Sequence, residues 1–181
     1  MSEFQKTSLE FARLDVGCGS RVRAGYIGVD VRPLPGVAIV CDAWEIDGDV
    51  ALHTVQEVYS RHFFEHLTFA QGQRTLAAFH RILRAGGTLR IIVPDLLYHI
   101  AQFAHKNTDM PSEANARWSV RQHALAGFWG WQRDGESAYW DVHKSGYDAA
   151  MLAQALARAG FADIERLPDK PWNLSMRAIA T

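Results

Sequence analysis

A glycine turn at residues 14–20 directly follows the first apolar run of the chain. Glycines at positions 17 and 19 allow the backbone to bend sharply and a ligand to approach without an intervening side chain. In open parallel sheets, ligands bind at the carboxyl ends of the strands, where this turn is expected to lie. The dinucleotide fingerprint needs a third glycine and a following helix, but only six residues separate Gly19 from Tyr26. The turn therefore favours a nucleoside ligand without a pyrophosphate over NAD.

Two aspartates follow the turn, each at the end of a short apolar run. Asp30 ends the second run and precedes Val31, and Asp42 ends the third run and precedes Ala43. A carboxylate at the first position can accept hydrogen bonds from both hydroxyls of a ribose. A carboxylate at the second position can reach an adenine amino group, and Trp44 can stack on the base. A lone strand-end aspartate is most often a cap or a turn former, but two in succession after a glycine turn indicate a nucleoside site.

Residues 62–66 have the spacing H-x-x-E-H, which on a helix places both histidines on one face and can bind zinc with the glutamate as base. Three observations argue against a zinc hydrolase built on His62, Glu65 and His66. The next helix is capped by Thr68 and so begins after this string, the residues before it have a strand pattern, and no third ligand has the required spacing. We therefore predict no metal site, and we place His62 and Glu65 at the end of the fourth strand, where a histidine can act as a general base.

The elements that must position these residues alternate short apolar runs with helical periods, which indicates an α/β domain with a largely parallel sheet. A capping box of Thr68 and Gln71 predicts a helix that ends at the glycines of positions 86 and 87. Asp95 is expected to cap another helix. Further helices are predicted over 114–126 and 148–159, and the strands over 11–16, 26–31, 37–41, 56–60, 89–93, 161–167 and 174–180. The short connection 168–173 predicts an antiparallel end to the sheet.

Composition narrows the class of protein. The chain has 181 residues, of which 48% are hydrophobic and 22% charged, so residues 1–181 are expected to form a single domain with a substantial core. The formal net charge of −1 argues against nonspecific binding to nucleic acid or anionic membranes. Two cysteines cannot form a disulfide framework, so a cytoplasmic location is expected. We find no signal peptide, and no apolar stretch approaches the roughly 18 residues of a membrane span.

The order of the motifs carries a family resemblance. The motifs that carry the resemblance lie at 14–19, 25–30, 42–43, 60–67, 83–87 and 93–95, and again at 141–143 and 159–161. In this order the segments resemble the class I, Rossmann-like S-adenosylmethionine-dependent methyltransferases, in particular short bacterial predicted methyltransferases often associated with surface-polysaccharide genes. Two positions depart from that pattern, because Arg61 separates Ser60 from His62 and Ala85 replaces the usual proline.

The resemblance implies a fold, a cofactor and a set of site residues. The fold is an open, mostly parallel twisted sheet of about seven strands, with an antiparallel last strand and helices on both faces. S-adenosylmethionine, which becomes S-adenosylhomocysteine, is expected to be bound by Asp15, Gly17, Cys18, Gly19, Asp30, Val31, Asp42, Ala43 and Ser60. His62, His143 and Glu65 are the candidate catalytic residues, with His62 or His143 as base if the acceptor must lose a proton.

A helical and aromatic insertion over 96–142 is expected to cover the acceptor site, with aromatic faces that suit a sugar ring or another small molecule. Its aromatic residues are Trp118, Phe128, Trp129, Trp131, Tyr139 and Trp140. DNA is not an expected acceptor, because the chain has neither an Asn/Asp-Pro-Pro-aromatic tetrad nor a Pro-Cys pair. A non-catalytic S-adenosylmethionine-binding regulatory or partner protein is the alternative, since no catalytic base is unmistakable. The sequence does not indicate the oligomeric state.

Overall fold

Seven strands form one sheet in the computed structural model, which describes residues 11–106, 108–132, 134–135 and 137–181. The strand order across the sheet is β3-β2-β1-β4-β5-β7-β6. In chain order the strands are β1 (Arg13–Val16), β2 (Ile27–Asp30), β3 (Val37–Val40), β4 (Val55–Arg61), β5 (Leu83–Pro94), β6 (Phe161–Leu167) and β7 (Asn173–Ala180).

The direction of the strands confirms the predicted fold class. Strands β1 to β5 pair in parallel, and β7 runs antiparallel to both β5 and β6. Residues 17–26, all of which are described, contain no helix between β1 and β2, as the short spacing there predicts. The strand order reverses between β1 and β4. In α/β sheets this reversal opens a crevice at the carboxyl ends of the strands, which is where ligands bind.

In the described part of the chain, five α-helices accompany the sheet, together with short 3₁₀ helices at Ala43–Gly48 and Phe64–His66. The α-helices are α1 (Phe69–Ile82), α2 (Leu96–Phe103), α3 (Val120–Trp129), α4 (Ser137–Trp140) and α5 (Ala149–Arg158). The predicted capping box of Thr68 and Gln71 is present at the start of α1, and Asp95 caps α2. Across the described residues, we find no helix that combines the length and the apolar character needed to cross a membrane.

Two predicted helix boundaries were wrong. Helix α1 ends at Ile82 because Leu83 already has an extended backbone, and β5 continues through the glycine pair at 86 and 87 instead of starting after it. The extra residues are absorbed where the register between β4 and β5 shifts. The helix predicted over 114–126 starts only at Val120, because Ser119 and Gln122 form a capping box there.

The core lies between α1, α5 and the sheet. Leu76 and Phe79 of α1 and Leu83 at the start of β5 form one buried stripe, and each is at most 1% exposed. They pack in the same cluster as Leu14 and Val58 from the central strands. Burial of this stripe holds α1 in place, so the residues just before α1 are held at the carboxyl end of β4.

Candidate functional site

A cavity of about 530 Å³ lies at the carboxyl ends of β1, β2 and β3. Its volume is in the range typical of small-molecule sites. Seven of the residues predicted to bind a nucleoside cofactor line it, as does His62. These seven are Gly17, Cys18, Gly19, Asp30, Val31, Asp42 and Ala43. The fold therefore brings the glycine turn and both aspartates to one cavity, which we call the first cavity.

The bend at Gly17 is shaped by Phe63. Gly17 has a φ of +72°, and a Cβ at this position would overlap the Phe63 side chain. The backbone N–H of Gly19 donates a hydrogen bond to Oδ2 of Asp30 at 2.9 Å. Oδ1 of Asp30 accepts from the backbone N–H of Arg32 at 3.0 Å and from its Nε at 3.2 Å. Asp30 thus ties the turn to the end of β2 and, since a carboxylate offers about four lone-pair sites, keeps capacity for a ligand.

Asp42 stands at the start of the 3₁₀ helix Ala43–Gly48 and lines the first cavity. Its side chain makes no capping hydrogen bond, although a carboxylate at a helix start commonly does so. Ala43 is buried beneath it, and the half-buried ring of Trp44 lines the cavity. The guanidinium carbon of Arg74 lies 5.8 Å from the centre of that ring. A carboxylate and an indole therefore meet on one wall, as expected of a site for a flat base.

Two predicted cofactor-binding residues, Asp15 and Ser60, do not line the first cavity. Oδ2 of Asp15 accepts a hydrogen bond from the backbone N–H of Arg23 at 2.7 Å, which braces the loop after the glycine turn. Burial raises the pKa of Asp15 against the opposing effect of that hydrogen bond. Ser60 is fully buried within β4. Direct contact of either residue with a cofactor stays a prediction.

A second cavity, of about 440 Å³, adjoins the first, and His62, His66 and Asp141 line both of them. Of the predicted aromatic cover, Trp118 and Trp131 line the second cavity, with ring centres 4.5 Å apart. Trp140 lines the first cavity instead, whereas Trp129 and Tyr139 are mostly exposed. Phe128 packs against His99 and Phe103. The aromatic segment therefore contributes to both cavities.

Residues 62–66 form the wall between the two cavities. His62 has a φ of +50°, an uncommon backbone conformation for a residue other than glycine, which is often found at functional sites. Its Nδ1 lies 3.3 Å from Oε1 of Glu65, and its side chain is 42% exposed. Glu65, in contrast, is only 2% exposed in its side chain. The carboxylate can therefore orient the imidazole of His62 from beneath.

His143 meets this wall from a distant part of the chain. The backbone N–H groups of Lys144 and Ser145 donate to the carbonyl oxygen of Glu65 at 2.9 and 3.1 Å. Nδ1 of His66 donates to the carbonyl of Val142 at 3.0 Å. These contacts bring Nε2 of His143 to 4.0 Å from Oε1 of Glu65. The fold thus assembles all three candidate catalytic residues, His62, Glu65 and His143, at one place.

Electrostatics favour a charged glutamate beside a neutral His143. Burial acts to raise the pKa of Glu65, but the hydrogen bond from His62 and the positive charge that the nearby imidazoles carry when protonated outweigh it and hold the pKa below its ordinary value. Burial lowers the pKa of His143, although the Glu65 carboxylate opposes this. A neutral imidazole beside a buried carboxylate can take up a proton or bind a cation.

Sequence reasoning missed several residues that line the cavities. Arg21, Arg32 and Lys144 bring positive charge to the first cavity, and Trp172 brings an indole to the second. Trp172 belongs to the short connection before β7, which gave no signal beyond that of a hairpin loop. The sequence signal that could have indicated Arg32 is its position two residues after Asp30, whose carboxylate it contacts.

Solved structures with the same architecture include S-adenosylmethionine-dependent methyltransferases. One from Archaeoglobus fulgidus is 16% identical, with a TM-score of 0.60 over 98% of this chain and 93% of its own. Another, from Mesorhizobium loti, is 18% identical, with a TM-score of 0.57 over 94% and 91%. The 1,6-didemethyltoxoflavin-N1-methyltransferase of Burkholderia thailandensis, solved with S-adenosylhomocysteine, is 18% identical, with a TM-score of 0.57 over 97% and 73%.

No protein-family model matches the chain, and no curated protein sequence matches it. The likeness to the solved structures extends over nearly the whole chain at low sequence identity, so it concerns the fold. The strand order and the reversed β7 agree with it. The chain has the Rossmann-like fold of the class I S-adenosylmethionine-dependent methyltransferases.

Proposed function

We propose that this protein is an S-adenosylmethionine-dependent methyltransferase that methylates a small-molecule or saccharide acceptor. The observation that carries the proposal is the first cavity, in which the glycine turn, Asp30 and Asp42 converge at the strand-order reversal. Each of these features suits one part of the cofactor, and none requires a pyrophosphate. The fold that this chain shares with methyltransferases of known structure supports the same reading.

The residues of the first cavity fit the cofactor part by part. Asp30 accepts hydrogen bonds from the ribose hydroxyls, since its carboxylate is already oriented by Gly19 and Arg32. Asp42 receives the adenine amino group, and Trp44 contacts the base. The bend at Gly17 leaves the backbone open to the methionine portion, where a side chain would block the approach.

The wall shared by the cavities is the place for the reaction. When bound, S-adenosylmethionine supplies an electrophilic methyl group on a sulfonium sulfur. The protein aligns the acceptor atom with this group and excludes water. The acceptor atom would lose its proton as it gains that methyl group, so the chain must provide a place for the proton. His62 takes the proton on Nε2, because its Nδ1 is turned toward Glu65.

The second cavity suits a ring-shaped polar acceptor. Trp118, Trp131 and Trp172 offer apolar faces, and Asn115 and Asn173 offer amide groups. Indole faces against sugar rings, with a few polar groups for orientation, are a common arrangement in saccharide sites. A saccharide or a similar hydroxylated small molecule therefore fits the lining better than a nucleic acid does.

Binding of S-adenosylhomocysteine tests the proposal by isothermal titration calorimetry. We expect one site in the wild type and affinity at least about tenfold weaker in Asp30→Ala, since the loss of a charged hydrogen-bond partner is typically about 1.5–3 kcal/mol. Asp163→Asn is the matched control, because Asp163 is exposed on β6 at the far edge of the sheet. Absence of binding in the wild type, or equal affinity in Asp30→Ala and the control, would refute the proposal.

A further inference from the structure

Three side chains at the wall between the cavities are close enough to share an ion. One ligand atom each from Glu65, His66 and His143 lies within 4.8 Å of the others. The ligand atoms of one tetrahedral zinc ion, bound at about 2.0–2.2 Å, lie about 3.3–3.6 Å from one another. Modest side-chain rotations bring this set within bonding range, because Nε2 of His143 already lies 4.0 Å from Oε1 of Glu65.

Both histidines present their unprotonated nitrogen to this point. Nδ1 of His66 donates to the carbonyl of Val142 at 3.0 Å, and Nδ1 of His143 donates to the carbonyl of Gly127 at 3.0 Å. A carbonyl oxygen only accepts, so in the neutral form of each ring the proton is on Nδ1 and the lone pair is on Nε2. A backbone carbonyl that holds Nδ1–H in this way is the usual support of a metal-binding histidine.

The carboxylate of Glu65 has one oxygen in a hydrogen bond and one oxygen without a partner among the described residues. Its Oε1 is held by His62 at 3.3 Å. Its Oε2 is buried and has no hydrogen-bond partner among the described residues, although the side chain is only 2% exposed. A buried carboxylate oxygen without a partner is unfavourable. Nε2 of His143 lies 4.0 Å from the other carboxylate oxygen, Oε1, and a cation bound by this group neutralises the buried carboxylate.

We propose that Glu65, His66 and His143 bind one divalent transition-metal ion of the zinc class. Two imidazole nitrogens and one carboxylate are a donor set that zinc accepts in catalytic sites, where further positions stay open for water or substrate. His62 is a positioning residue in this arrangement, because it holds the carboxylate through Oε1. Spacing alone gave no third ligand, since His143 comes from the segment before α5.

The position of the site suggests what the ion does. His66 lines both cavities, and Glu65 and His143 line the second, so the open positions of the ion face the acceptor side of the wall. There the ion binds the acceptor's hydroxyl oxygen and lowers the pKa of that hydroxyl. The released proton passes to Nε2 of His62 or to water. This role in methyl transfer rests on the proposed function, whereas metal binding itself does not.

Zinc titration of the 181-residue protein after removal of metals by a chelator tests the site. We expect one Zn²⁺ per chain, and an affinity at least about 100-fold weaker in Glu65→Gln, His66→Gln and His143→Gln, since each removes one of three ligands. His53→Asn is the control, because His53 is exposed and lies outside both cavities. Asparagine also tolerates the φ of +58° found there.

Two measurements keep the test decisive if a buried variant folds poorly. Co²⁺ bound to the wild type should give a visible absorption spectrum of a nitrogen- and oxygen-ligated ion, which one equivalent of Zn²⁺ abolishes. Zn²⁺ should also raise the Tm of the wild type and of His53→Asn but not that of His143→Gln. Less than stoichiometric Zn²⁺ in the wild type, or unchanged affinity in the ligand variants, would overturn the site.

The outcomes separate this site from the proposed function. Stoichiometric Zn²⁺ with no binding of S-adenosylhomocysteine would remove the proposed function and leave the metal site in place. Binding of S-adenosylhomocysteine without Zn²⁺ would remove the metal site alone. The two titrations are independent, because the carboxylates of Asp30 and Asp42 are not among the metal ligands.

Discussion

Substitution of Gly17 and Gly19 by alanine distinguishes two reasons for glycine in this turn, the left-handed backbone conformation and the close approach of the Phe63 side chain. Gly17 has a φ of +72°, and a Cβ there would overlap the side chain of Phe63. Gly19 has a φ of +56°, but a Cβ there would meet no atom within 4 Å. Gly17→Ala therefore introduces backbone strain and a steric overlap, whereas Gly19→Ala introduces only the strain. The second variant is a control within the same turn.

The magnitudes follow from these two contributions. A left-handed backbone at alanine is unfavourable by about 1–2 kcal/mol. Displacement of a packed side chain adds about 1–3 kcal/mol. We expect Gly19→Ala to lower the free energy of unfolding by about 1–2 kcal/mol and Gly17→Ala to lower it by about 2–5 kcal/mol. Urea denaturation of both variants measures the difference.

A double-mutant cycle isolates the overlap. In a Phe63→Gly background both the ring and the Cβ of Phe63, which the added Cβ would overlap, are absent, so Gly17→Ala should become as mild as Gly19→Ala. The coupling free energy between positions 17 and 63 is then about 1–3 kcal/mol, and that between 19 and 63 is near zero. Equal losses for Gly17→Ala in both backgrounds would show that Phe63 does not shape the turn.

Two further predictions concern titratable groups. Burial and His123 lower the pKa of His99 to about 4. Between about pH 6.5 and pH 4 the unfolded chain therefore binds a proton that the folded chain does not, so the free energy of unfolding should fall by up to about 3 kcal/mol over this range. Urea denaturation should show a shallower fall in His99→Gln. An identical pH slope in that variant would contradict this. Burial, with nearby carboxylates, raises the pKa of Cys18 to about 11 and that of Cys41 to about 12. At pH 8 iodoacetamide should therefore alkylate both thiols at least about 100-fold more slowly than free cysteine. Alkylation rates within tenfold of free cysteine would refute this prediction.

Local rules were enough for much of the fold. The Thr68 capping box and the Asp95 cap depend on side chains that bond to their own backbone neighbours, so their spacing reveals them. The short span between Gly19 and Tyr26 excluded a crossover helix on length alone. Strand order was a different matter, because it came from the family resemblance and not from the residues of any one strand.

The wrong helix start shows where local rules fail. Residues 114–118 have helix-forming side chains, but the backbone N–H of Ser112 donates to the carbonyl of Trp118 at 2.8 Å, and Pro111 bridges to Ser119. Ser112 Oγ also lies 2.9 Å from Nδ1 of His123. These contacts close a loop over the second cavity and outweigh the weak helical preference of the segment.

The candidate metal site was hidden from the sequence for a related reason. The H-x-x-E-H spacing suggests that His62 and His66 act together, and this holds only on a regular α-helix. The string instead spans a strand end and the single 3₁₀ turn Phe64–His66, where His62 turns toward Glu65 and His66 toward Val142. The partner of His66 is His143, held by backbone bonds to the carbonyl of Glu65 that involve no side-chain motif. Backbone hydrogen bonds that bring distant residues together leave no pattern of side chains in the sequence, so this cluster is visible only in the structure.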